Sequence, residues 1–170
     1  MIESGDLPLK SVRLTAWDLQ ELTDELTSQR NTGKAIVFTN GVFDLLHSGH
    51  IRYLRQAAAL GDLLVVALNN DDSVRRLKGP KRPLIPELER IKIIASLEMV
   101  SYVTLFSEDT PLKTIEAVKP DVLVKGGDYR PDEIVGRDVV ERRGGRVLAL
   151  PFEQGFSSSG IVDRILQSVN

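Results

Sequence analysis

The sequence predicts an α/β fold, a doubly wound parallel five-stranded sheet in a single domain. Two observations carry this. Five short apolar runs recur along the chain, rich in Val, Leu and Ile and continuous rather than alternating. Such runs mark strands buried on both faces. Between them lie helical patterns, and strands alternating with helices build right-handed crossovers and a parallel sheet. A length of 170 residues suits one domain.

Residues 1–32 read as an N-terminal arm and helix packed on a domain spanning 33–170. The run TAWDLQELTDELTSQR puts Trp17, Leu19, Leu22 and Leu26 near one helical face. Thr15 is the predicted N-cap and Gly33 the stop. The strands are AIVFTN (35–40), LLVVALN (63–69), YVTLF (102–106), DVLVKG (121–126) and RVLALP (146–151). Helices are predicted over 49–60, 87–98, 111–118 (with Pro111 in the first turn), 132–143 and 158–169. The stretches 69–83 and 107–111 read as loops after strands. In such sheets ligands bind beyond the carboxyl ends of the strands, so these connections are where chemistry is expected.

Composition narrows the function. With 22 Lys+Arg against 24 Asp+Glu, the formal charge is −2, which disfavours general nucleic-acid binding. The absence of Cys excludes a disulfide framework, thiolate metal sites and a cysteine nucleophile. No secretory signal or membrane-length apolar run is visible, so no membrane association and a cytoplasmic location are expected.

Both histidines fall in one tetrapeptide, HSGH, at 47–50, just after the first strand and at the start of a helix. Spaced i, i+3, His47 and His50 can face the same way beside N-terminal amides. A phosphate fits there, and Gly49 lets the chain approach it closely. Two partly buried histidines serving the helix start, or a metal pair, are the alternatives; no further metal ligands are evident. A second feature is RRLKGPKR, 75–82, with five bases in eight residues. It reads as a solvated loop or as a lid over an anion, hinged at Gly79-Pro80. Ser157, Ser158 and Ser159 open the last helix, where they cap it or hold phosphate. Gly126-Gly127 follow the fourth strand, flanked by Lys125 and Asp128.

The stretch TNGVFDLLHSGHIRYL, 39–54, resembles the signature of the cytidylyltransferase-like nucleotidyltransferases, whose fingerprint is HxGH. The resemblance implies a Rossmann-like domain and attack by a substrate phosphate on the α-phosphate of a nucleoside triphosphate. It further implies catalytic roles for His47, His50 and Lys78. Thr39, Asn40, Gly41, Phe43, Gly49, Arg90, Lys125, Gly126 and Ser157–Ser159 would serve the nucleotide. Asn70, Asp71, Arg82 and Asp128 would serve the acceptor. Asp44 is either a sugar contact or an acceptor that orders its own loop. Ser at 157–159 stands where Thr is common, and Gly160 where a polar residue is usual.

The segments LVKGGDY, PDEIVG, LKGPKRPL, SEDTPL and FEQGFSS look like the adenylyltransferase part of the ADP-heptose synthases. That resemblance covers about residues 15–168. It implies ATP, Mg²⁺ and D-glycero-β-D-manno-heptose 1-phosphate, a homodimer, and a sugar kinase supplied separately. Transfer of CMP to glycerol 3-phosphate or a similar small phosphate, and a non-catalytic nucleotide-binding module, are the competing readings.

Overall fold

A computed structural model describes residues 13–127, 130, 133–151 and 158–169. Each of the five apolar runs forms a strand: β1 (Ile36–Gly41), β2 (Leu63–Asn69), β3 (Tyr102–Phe106), β4 (Val122–Gly126) and β5 (Arg146–Leu150). All pair in parallel, in the order β3-β2-β1-β4-β5. The helices are α1 (Leu19–Asn31), α2 (Ser48–Ala58), α3 (Asp71–Lys78), α4 (Glu87–Ala95), α5 (Leu112–Val118), α6 (Arg137–Glu141) and α7 (Ser158–Val169).

Alternate residues of each strand feed two apolar layers, which is why the runs are continuous. Val37, Leu64, Val66 and Leu68 pack under Tyr53, Leu54 and Ala57 of α2 and Ile91 and Ile94 of α4. On the other face Ile36, Phe38, Val65 and Leu123 meet Leu22 and Leu26 of α1, Ile115 and Val118 of α5 and Val140 of α6. Connections from β1 and β2 thus run over one face, and those from β3 and β4 over the other. The direction of winding reverses between β1 and β4, the switch point at which such sheets bind ligands.

Several predicted boundaries move. The N-cap of α1 is Asp18, whose carboxylate accepts from the amides of Gln20 and Glu21. Thr15 cannot serve, because Trp17 is held extended against β3: its amide donates to Val103 O at 2.8 Å, and Thr104 donates to its carbonyl. Pro111 precedes α5 as its cap residue instead of lying in its first turn, and α4 ends at Ala95, short of Glu98. The described helical part of 132–143 is Arg137–Glu141, preceded by Gly136 at φ +88°. The larger correction is α3. Residues 71–78 are helical, capped by Asn70, whose side chain accepts from the Ser73 amide. Half of the basic run, with three of its five bases, is therefore the last turn of a helix, where cations also suit the dipole. No described helix is long and apolar enough to cross a membrane.

Candidate active site

A cleft of about 420 Å³ opens at the carboxyl ends of β1, β2 and β4. Its floor is built by the end of β1. Gly41 has no room for a side chain, since a Cβ would lie 2.7 Å from the Phe43 ring. Phe43 itself takes a left-handed backbone, φ +48°, a conformation that costs a non-glycine residue about 1–2 kcal/mol. That turn sets the Phe43 ring 5.2 Å from the His50 ring and drops Asp44 into the interior.

Asp44 is 4% exposed. One carboxylate oxygen accepts from the amides of Leu84 and Ile85 at 2.7 and 2.9 Å, and the other from Arg82 at 2.5 Å. Of the two roles open to Asp44, the structure displays the loop-ordering one. It ties the loop after β1 to the segment between α3 and α4, and it engages Arg82 in the process. Arg82 does not line the cleft.

His47 is the N-cap of α2, in extended conformation. Its backbone N–H donates to His50 Nδ1 at 3.4 Å, which leaves Nε2 as the nitrogen of His50 that carries the proton. The two rings lie 3.8 Å apart at 33°. Burial lowers the pKa of His47. That of His50 falls to about 4, through burial first and then the charges of His47 and Lys78. Both imidazoles are therefore neutral near pH 7 in the free protein, and His50, which lines the cleft, presents an N–H donor without a resident charge.

Two cations share the cleft with this donor. Lys78, the last residue of α3, is exposed on the cleft wall. Lys125, from β4, donates to Asn40 Oδ1 at 3.4 Å, and burial lowers its pKa. Ser158 at the start of α7 donates to Leu45 O at 3.1 Å, which fastens that helix N-terminus to the loop before the histidines. An N-terminus, two lysines and a neutral imidazole around one cleft suit a ligand with several phosphate oxygens.

The family model described as cytidylyltransferase-like matches residues 38–164. The chain belongs to the cytidylyltransferase-like family. Among curated relatives of this cytidylyltransferase-like chain, it is 57% identical to "Bifunctional protein HldE" of Citrifermentans bemidjiense over 89% of its length. Identity to the protein of the same name from Geobacter sulfurreducens is 52%, over the same share. In both cases it spans 31% of the relative, so about a third of those proteins' length is represented. A solved lipopolysaccharide core biosynthesis protein from Thermoplasma volcanium is 36% identical, with a TM-score of 0.59 over 71% of this chain and 98% of that one. A pantoate-beta-alanine ligase from Francisella tularensis, 18% identical with a TM-score of 0.57 over 82% of this chain and 67% of that one, shares the fold.

Of the residues expected at the site, the cleft brings together Asn40, Gly41, Phe43, Asp44, His50, Lys78, Lys125, Gly126 and Ser158. Thr39 and Gly49 are buried and do not line it; the Thr39 hydroxyl is hydrogen-bonded to Tyr53, which in turn donates to Val124 O. Asn70 caps α3, and Asp71 forms an ion pair with Arg90 at 2.7 Å. Arg90 is 1% exposed and does not reach the cleft, so a direct phosphate contact gives way to an internal role in this conformation. Asp128, Ser157 and the side chain of Ser159 lie outside the described residues. The sequence reading misses Asp109, Thr110 and Glu133–Val135, which also line the cleft. The first two lie in the post-β3 stretch, and the others in PDEIVG, where the sequence carries a family resemblance but no chemical signal.

Proposed function

We propose that the chain transfers AMP from ATP to D-glycero-β-D-manno-heptose 1-phosphate, giving ADP-heptose and pyrophosphate for the lipopolysaccharide core. The observation that carries this reading is the convergence of His50 and Lys78 on one cleft at the switch point, in a chain 57% identical to a bifunctional HldE. An oxygen of the acceptor phosphate attacks the α-phosphorus, and the bond from that phosphorus to the bridging oxygen of pyrophosphate breaks. A sugar phosphate is already anionic at neutral pH, so no general base is needed. What the protein supplies is alignment and stabilisation of charge as it builds on the α-phosphate.

On this reading His50 donates from Nε2 to a non-bridging α-oxygen. Lys78 neutralises the departing pyrophosphate, and Ser158 with the α7 amides holds its distal end. Lys125 and Gly126 border the nucleoside. Triphosphate binding would raise the pKa of both imidazoles from their depressed values, adding charge as the anion arrives. Among the described residues no group of three or more His, Asp or Glu is placed to hold a metal. On this reading Mg²⁺ arrives with the triphosphate, and no step here depends on a protein ligand to it. The reading places the enzyme in the cytoplasm, as a homodimer, with the heptose kinase reaction supplied by another domain or polypeptide.

The test is pyrophosphate release with ATP or CTP against heptose 1-phosphate, glycerol 3-phosphate and other sugar phosphates. Release with ATP and heptose 1-phosphate is expected. Release only with CTP, or none with any acceptor, overturns the proposal.

A further inference from the structure

The side chain of Arg90 ties together several of the segments that build the cleft. It projects from the first turn of α4 and is 1% exposed. Its guanidinium donates to four acceptors on three stretches of chain: Ile85 O at 3.0 Å from Nε, Val42 O at 2.6 Å from Nη1, and from Nη2 both Asn69 O at 2.9 Å and Asp71 Oδ1 at 2.7 Å. A buried guanidinium is retained only when its donors are met. Here one carboxylate and three carbonyls meet four of five.

The acceptors form a pattern. Val42 is the residue before the strained Phe43, at the root of the arm that carries His47 and His50. Asn69 ends β2, and Asp71 opens α3, the arm that ends in Lys78. Ile85 lies in the return segment, and its own amide donates back to Asp44. Arg90 and Asp44 thus close a ring that fastens the histidine arm to the lysine arm from beneath. The Asp71 amide, bonded to Glu87 at 2.7 Å, adds a further tie from α4.

We propose that Arg90 is a positioning residue, which sets the spacing of the His50 imidazole and the Lys78 ammonium across the cleft by joining Val42, Asn69, Asp71 and Ile85. It does not itself line the cleft, although its partners Val42 and Asn69 do, so it acts through the groups it holds. The kinetic part of this inference rests on the nucleotidyltransferase reading above; the structural part does not. Lysine keeps the charge but has three donors on one point and no planar fork, so it cannot span these acceptors.

The test pairs hydrogen–deuterium exchange with steady-state kinetics on Arg90→Lys. Exchange should quicken in peptides covering 42–46 and 82–86, with α1 and β4 unchanged. The kcat should fall by about 10- to 100-fold, as misalignment near an ångström does, while KM for ATP stays near its wild-type value. Should Arg90→Lys fail to fold, Asp71→Asn loosens the same guanidinium, and the same two segments should quicken to a smaller extent. Wild-type exchange in those segments overturns the proposal. So does a uniform increase along the whole chain with KM and kcat both altered, since that marks a general loss of stability. If the wild-type protein transfers no nucleotide, the functional reading falls, and the exchange pattern alone still decides the role of Arg90.

Discussion

His50 shows how a single residue can be both cap and reagent. Its Nδ1 is used in fixing the backbone of His47, and that contact decides which nitrogen is left for a ligand. His50→Ala should lower kcat by about 10²- to 10³-fold, as loss of a charge-stabilising donor does, with the protein still folded by circular dichroism. Lys78→Ala should give a comparable loss, because its exposed side chain supports little else. The same histidine makes a stability prediction. Its folded pKa is about 4 against an ordinary 6.5, so between those values the unfolded chain binds a proton that the folded chain refuses. The contribution is complete above 6.5 and is lost as pH falls through that window. Thermal melts from pH 8 to pH 4 should show a falling Tm on the acid side, and His50→Gln should flatten that decline.

Elements whose signal is local were legible in the sequence, and those whose signal is tertiary were not. All five strands follow from apolar runs, because burial on both faces leaves an unbroken hydrophobic trace. The helix α3 is hard to read because DDSVRRLK is short, strongly polar and offers one buried apolar side chain, Val74. Its charge order, acids first and bases last, was the available clue. The start of α1 was misplaced because a bridge from Trp17 to β3, 87 residues away in sequence, overrides the local preference of Thr15. At the site, HxGH was readable as an anion-binding helix start. The inward roles of Asp44 and Arg90 were not, since the partners of Asp44 lie 38 to 41 residues away and those of Arg90 are spread over separations from 5 to 48. Asp18→Ala tests the element directly: it removes the carboxylate that receives two amides and should cost about 1 kcal/mol in chemical denaturation. Because Leu22 and Leu26 remain buried, α1 should stay docked.

For the molecule as a whole, stability and function separate along the strands. The two apolar layers lie on either face of the sheet, while every residue proposed for chemistry sits at its carboxyl edge. Leu54, wholly buried in the layer under α2, lies one turn beyond His50. Leu54→Ala should destabilise the protein by about 2–5 kcal/mol through the void it leaves, with nucleotide affinity little changed at temperatures where the variant is folded. Trp17 gives this separation an optical handle. It is the only tryptophan in the chain, packed edge-on to Tyr102 at 5.2 Å with the Arg13 guanidinium 4.4 Å above its ring. Its indole belongs to the β3 border and is not part of the cleft wall. Its emission should therefore report melting of the fold and remain silent during a nucleotide titration. A spectral change on adding ATP would reveal that the far border of the sheet senses the occupied cleft.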